Sequence, residues 1–310
     1  NWGHNIVIRT APFRDHCMLP VLAGRGPLSG AILSHDQVEA VLMRRAGYEV
    51  RVLAEESESF EENPPSLVDF IRRELRWMNG NLQYFKLLSM PGLKPVSRLQ
   101  LVLAILMYIS SPAWIAFILI GAALAGTVDQ INAIPAAAGL TLFAVLMTLS
   151  LSPKLMGLAQ VLASPARSAA YGGRARVLSG GLVEIVFSML TSPVVAVALT
   201  QFAIGLIFGQ RIGWSAQQRS RARLEWHEAA SVLWPQTLLG AGLCLWFWVQ
   251  APWALIFGAP VLLALTLSIP VAVLTTLPRL SRWSQSTGLF DIPEDRRPAR
   301  QDPTIQANTA

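Results

Sequence analysis

Two patterns divide the chain. From Leu99 onward, apolar runs long enough to hold spans of ~20 residues alternate with short polar breaks, and no Lys or Arg falls within 99–153, 177–210 or 224–278. Before Leu99 the pattern is mixed and resolves into shorter elements. Asn5-Ile6-Val7-Ile8-Arg9 is a β-branched run between polar residues and predicts a strand. A turn-rich connector follows, from Pro12 through Gly24-Arg25-Gly26-Pro27 to Gly30. Asp36-Gln37-Val38-Glu39 then opens a helix that Gly47 stops, with the spacing of a capping box. Tyr48 to Leu53 alternates polar with apolar and predicts a second strand. Strand, loop, helix and strand together imply an α/β head.

A longer helix follows Pro64-Pro65, with Ser66 as its cap. Its apolar stripe is Leu67, Phe70, Ile71, Leu75, Met78, Leu82 and Phe85, and Arg72, Arg73 and Arg76 lie largely off it. Gly80 weakens this helix by up to ~1 kcal/mol and marks a place for a bend. Among the apolar runs, 99–126 pairs with 136–152, and 234–250 pairs with 253–277 across a short Ala251-Pro252 turn. Every basic cluster then lies on one side if the middle stretch, 181–209, also enters and leaves on that side. That stretch is short for two full crossings, so the expectation is two short tilted helices or a re-entrant hairpin around Thr191-Ser192-Pro193. Arg219, Arg221 and Arg223 suggest a basic interfacial helix that includes Trp226 and His227, and the tail from Asp291 has a disordered composition. On this count residues 1–98, 154–176, 211–223 and 279–310 lie on the cytoplasmic side, and 127–134 and 251–252 on the opposite side.

Composition narrows the class. The 310 residues are 53% hydrophobic and only 14% charged, too apolar for an ordinary soluble domain. The net charge of +6 sits in the head, loops and tail, so it reads as membrane topology and not as a nucleic-acid footprint. Cys17 lies in the polar head and Cys244 in an apolar run, which argues against a disulfide. His4, His16, His35 and Cys17 lack the paired spacing of a zinc site. The chain opens without an initiator Met or a signal-peptide pattern and reads as an internal piece of a longer protein. The acidic run Glu55 to Glu62 has the pattern of a solvated loop.

Three positions carry two readings each. Asp36 is either a helix cap or a functional carboxylate, Trp77 either core packing or a stacking surface. Glu184, the sole charge in its apolar stretch, is either interfacial or functional. One reading consistent with the paired spans and Glu184 is a transporter or channel subunit, and another is a non-catalytic membrane scaffold with a small cytosolic domain.

The order of a Gly3-His4-Asn5 strand, an acid in Ser34-His35-Asp36, and Arg76-Trp77 just before membrane spans resembles the processive family-two glycosyltransferases, such as cellulose and hyaluronan synthases. The strings Phe13-Arg14-Asp15-His16-Cys17, Met43-Arg44-Arg45-Ala46-Gly47 and Gly80-Asn81-Leu82-Gln83 are closest to the branch that makes osmoregulated periplasmic glucans. The resemblance implies glucose transfer from UDP-glucose to a growing β-1,2-glucan acceptor in the bilayer of the bacterial inner membrane, with head and tail cytoplasmic and a periplasmic glucan-processing partner. It implies the C-terminal part of a GT-A-type α/β domain over 1–97, helical spans and interfacial helices over 98–290, and a tail at 291–310. By the same resemblance Asp36 is the catalytic base, and Arg76, Trp77, Arg73, His35 and Asn5 bind substrate. Arg73 stands where the wider family has Gln in Gln-x-x-Arg-Trp. A divalent cation, Mg²⁺ or Mn²⁺, is expected through carboxylates upstream of this chain, because the head has no Asp-x-Asp, and no metal ligand is expected within it. The piece alone is then expected to be inactive.

Overall fold

The computed structural model describes residues 6–52, 63–125, 136–212 and 223–293. Eleven α-helices and one 3₁₀ turn account for their regular structure: α1 (Thr10–His16), α2 (Asp36–Arg45), α3 (Leu67–Leu82) running into the 3₁₀ turn Gln83–Lys86, α4 (Pro95–Ala125), α5 (Ala136–Ala163), α6 (Pro165–Ala170), α7 (Arg174–Ile207), α8 (Trp226–Gln250), α9 (Ala254–Thr266), α10 (Ser268–Leu274) and α11 (Pro278–Thr287).

The expected α/β head is not what forms, because the described head is helical. Residues 6–9 and 48–52 have no regular structure, and the isolated bridge between Leu22 and Gly30 is the β-pairing found among the described residues. Alternation can propose a strand, but a strand needs a partner for its N–H and C=O groups and cover for its apolar face. Val7 is fully exposed and Val52 is 84% exposed, so neither segment has that cover. Thr10 to His16, read as connector from Pro12 onward, is instead a short helix packed on α2.

Local signals at the other helix ends act as the sequence suggests. Ser66 caps α3, its Oγ accepting from the Asp69 N–H at 3.1 Å. Gly47 follows α2 at φ 92°, a conformation that costs a side-chain-bearing residue. At the start of α2 the cap position is His35, not Asp36, and no side chain makes a cap bond there.

Four helices are long and apolar enough to cross a bilayer, α4, α5, α7 and α8, with a fifth if α9 and α10 count as one broken span. The tilted pair or hairpin expected over 181–209 is absent, because α7 continues through Pro193 from Arg174 to Ile207. A proline costs one backbone bond in a helix interior, and a long apolar helix in lipid tolerates that. The break comes instead at Leu267, where α9 and α10 are bent by 58°. Pro270 has no N–H to close the turn on Thr266, which loosens the ladder there. Trp226 and His227 open α8 and belong to no separate basic helix, while positions 213–222 lie outside the described residues. So do the acidic run Glu55 to Glu62, the loop 127–134 and the tail from residue 294.

The chain divides into two units. The first holds residues 1–127 and 190–276, with the head, α4, the second half of α7, and α8 to α10. Its head core joins Val38, Val41 and Leu42 of α2 to Met78, Leu82 and Tyr84, and continues into Leu101, Ile105 and Tyr108 of α4 and Phe202 of α7. Two contacts bring helix ends to the head, Arg211 donating to the Arg25 carbonyl and Arg72 pairing with Glu228 at 3.2 Å, and the Leu224 N–H before α8 reaches Thr276 Oγ1 after α10 at 3.1 Å. Gly240 lets α8 approach the α9–α10 break, where an added Cβ would meet the Thr266 backbone nitrogen at 2.6 Å. The second unit holds 128–189 and 277–310. In it Lys154 of α5 pairs with Glu184 of α7 at 2.6 Å and donates to Ser188 Oγ at 2.6 Å.

Candidate functional site

The loop Ala31–Ser34 has no regular structure, yet it is fixed in place by side chains from the end of α3. Gln83 accepts from the Leu33 N–H at 2.8 Å and donates to the Ala31 carbonyl at 2.9 Å. Tyr84 donates its hydroxyl to the Ser34 carbonyl at 2.8 Å. Both side chains are buried, so the three bonds are sheltered from water. Burial, with the negative charge of Asp36 adding to it, pushes the Tyr84 phenol far above its usual range. The contact is made at Gly80, where a Cβ would sit 2.7 Å from the Ser34 Cβ and backbone nitrogen. Gly80 is therefore the notch in α3 that seats the loop, and its helix cost has this return.

The loop delivers His35 and Asp36 to the first turn of α2. The Asp36 carboxylate is partly exposed and makes no cap bond, so the helix-cap reading does not account for it. His35 Nδ1 lies 2.9 Å from Glu39 Oε1 and 3.4 Å from Asp36 Oδ1. The imidazole thus bridges two carboxylates one helical turn apart. The ligand atoms of these three residues all fall within 4.8 Å of one another, the spacing a cation would need. All three are at least partly exposed and His35 Nδ1 is taken by Glu39, and exposed acidic groups commonly gather in this way without an ion.

Arg76 is buried and stands one turn before Gly80, on the face of α3 that meets the loop. Desolvation first, then the neighbouring Arg73, lowers its pKa, although a guanidinium stays charged at any physiological pH. Next to it, Trp77 is 40% exposed, which excludes simple core packing. The Arg73 guanidinium lies over the Trp77 ring at 4.6 Å and over Phe70 at 4.8 Å, contacts worth about 0.5–2 kcal/mol each. Arg73 also pairs with Glu74 at 3.4 Å, and Glu74 accepts from the Tyr108 hydroxyl of α4 at 3.3 Å. Burial raises the Glu74 carboxyl above the usual range, and Arg73 and Tyr108 offset only part of that.

Of the sequence candidates, His35 and Asp36 lie together at the start of α2, Arg73 and Trp77 are stacked on α3 with Arg76 between them in sequence, and Asn5 lies outside the described residues. Cys17 is buried, with its thiol directed to the Glu39 carbonyl at 3.6 Å. Sequence reasoning missed Gln83, Tyr84 and Glu39 as the residues that set the loop and its imidazole. A polar Gln beside an aromatic at the end of an apolar stripe was the available signal.

Comparison with known proteins follows the same division. Residues 2–128 match the sequence profile described as glycosyl transferase family group 2. The chain is 37% identical to glucans biosynthesis glucosyltransferase H of Pseudomonas entomophila over 312 residues, covering 95% of this chain and 36% of that protein. Proteins of the same name from Pseudomonas fluorescens and Pseudomonas syringae pv. tomato are 36% and 35% identical, covering 96% and 97% of this chain and 36% of each. The resemblance read from the short motif strings thus extends along nearly the whole sequence, and its direction is glycosyl transfer. The chain spans little more than a third of the length of these relatives. No solved structure matches it.

Proposed function

We propose, from a head similar to family-two glycosyl transferases and a helical region similar to the glucan-synthesising relatives, that this chain is the acceptor-side and membrane part of an inverting glucosyltransferase. The enzyme moves glucose from UDP-glucose onto a growing β-1,2-glucan at the bacterial inner membrane, with head and tail on the cytoplasmic side. The observation that carries this reading is Asp36: a partly exposed carboxylate, unused as a cap, on a loop fixed by Gln83, Tyr84 and Gly80.

The roles follow from the chemistry each side chain offers. As the acceptor hydroxyl attacks the anomeric carbon, its proton passes to the Asp36 carboxylate and the bond from that carbon to the UDP oxygen breaks, leaving the electron pair on the diphosphate. The new glycosidic bond has inverted configuration. His35 holds the Asp36 carboxylate through the Glu39 bridge. Arg76 takes its assignment to the diphosphate from the family resemblance, whose motif puts there a planar pair of donors that an ammonium cannot reproduce. Trp77 offers a flat apolar surface to the C–H face of the acceptor sugar. The divalent cation implied by the family resemblance is assigned to carboxylates outside this chain.

Asp36→Asn in the intact protein is the test. Asn has nearly the same size and Asp36 makes no cap bond for it to lose, so a purely structural role predicts wild-type activity. Loss of a general base predicts a fall of ~10²–10⁴-fold in glucan synthesis, with UDP-glucose affinity and expression unchanged. A variant that keeps more than about a tenth of the wild-type rate, well short of that range, moves the base elsewhere.

A further inference from the structure

We infer that Arg73 is a positioning residue that fixes the Trp77 ring as a platform for the acceptor sugar, and is not itself a ligand of the donor diphosphate. The inference rests on the proposed role of Trp77. Phe70, Arg73 and Trp77 recur at three- and four-residue steps and so form one stripe on α3. The guanidinium lies against both rings, at 4.8 Å and 4.6 Å. Glu74 takes one of its terminal nitrogens at 3.4 Å. What charge it has is therefore directed into the protein, toward a carboxylate and two aromatic faces, and not presented to a phosphate.

Trp77 is held differently. One face of the indole is covered by the guanidinium, yet the residue stays 40% exposed, so its open surface is the part turned away from Arg73. A stacking surface gains affinity when its rotamer is set before the ligand arrives, because the ordering cost is met in folding. The clamp is anchored beyond α3: Glu74 receives a hydrogen bond from Tyr108 of α4, and Tyr108 is buried. The acceptor platform is thereby tied to a membrane-spanning helix through Trp77, Arg73, Glu74 and Tyr108. A neutral Gln at position 73, the family's usual residue, has no charge to place over the ring, so in this chain the departure from that pattern has its own physical content.

The experiment compares Arg73→Met, Arg73→Lys and Trp77→Ala in the intact protein in nanodiscs, using a short β-1,2-glucan acceptor and UDP-glucose. Arg73→Met keeps the length and apolar stem but removes the cation. It should raise the acceptor KM by about 3–30-fold, the range a cation–π contact supports, with UDP-glucose affinity unchanged. Arg73→Lys keeps a cation over the ring and should recover most of the acceptor affinity. A readout independent of turnover is the ¹⁹F signal of 5-fluorotryptophan at position 77, assigned by its loss in Trp77→Phe. It should shift and broaden in Arg73→Met and return toward wild type in Arg73→Lys. Weakened UDP-glucose binding in Arg73→Met, or an unmoved Trp77 signal, would overturn the inference and return Arg73 to the donor site or to packing. If Trp77→Ala itself leaves acceptor KM unchanged, the acceptor role of Trp77 fails first, a result distinct from failure of the clamp alone.

Discussion

At the scale of single residues, the site depends on what α3 leaves out as much as on what it presents. The missing side chain at Gly80 admits Ser34, and Gln83 and Tyr84 then fasten the loop that ends in His35 and Asp36. Gly80→Ala should test this directly. In a free helix the change would stabilise by up to ~1 kcal/mol. Here the added Cβ meets backbone at 2.7 Å, so the loop must shift, and overpacking of that kind costs about 1–3 kcal/mol. The expected outcome is a lower melting temperature in detergent together with reduced glucan synthesis. A more stable and fully active Gly80→Ala protein would show that the loop seat is slack. Asp36→Asn belongs to the same scale and asks a separate question, since it changes proton affinity while leaving the seat intact.

At the scale of elements, burial and pairing overrule local pattern in both directions. Residues 6–9 and 48–52 have strand composition and no strand partner among the described residues, and they form no regular structure. Thr191-Ser192-Pro193 has break composition, yet α7 runs straight through it. Glu184 on α7, which the apolar pattern left ambiguous, is matched by Lys154 on α5. In lipid, an ionised side chain is tolerated mainly when paired, and one left alone costs on the order of 2–3 kcal/mol. Lys154→Met should therefore destabilise the protein in bicelles by about that amount, and the double variant Lys154→Met with Glu184→Leu should recover most of it. A double variant no more stable than Lys154→Met would mean that the pair lies in water and contributes little.

At the scale of the whole molecule, the first unit suggests how the head meets the bilayer. Ends of α7 and α8 reach the head through Arg211 and Glu228, and Ala272 and Val273 of α10 pack in one cluster with Val68 and Ile71 of α3. Along α8, exposed tryptophans stand at both ends, Trp226 at its start and Trp246 and Trp248 near its finish, with Trp234 about two turns in from the start. Trp226 to Trp248 spans roughly 33 Å at 1.5 Å per residue, close to the ~30 Å hydrocarbon core, as interfacial aromatic belts require. Cysteines placed at 25 and 211 should label together from the cytoplasmic face, and one at 252 from the periplasmic face. Labelling of 211 and 252 by the same impermeant reagent in intact cells would reject this arrangement.

The sequence by itself determined what depends on near neighbours or on composition. It marked the apolar helices, because partition into lipid is a sum over consecutive residues. It marked Ser66 as a cap and Gly47 as a stop, because these act within one turn. Through its motif strings it also pointed to Asp36, Arg76 and Trp77, and to a glycosyl transferase resemblance that the relatives extend over nearly the whole chain. Only the tertiary structure decided the rest. Whether a β-branched segment becomes a strand depends on a partner that local sequence does not name. Whether Arg73 faces a phosphate or an indole depends on which turn of α3 lies beside which ring. Whether Gly80 is a weakness or a seat depends on Ser34, far away along the chain but in direct contact with it. Each of these is settled by contacts between positions distant in sequence, and those contacts exist only once the core has packed.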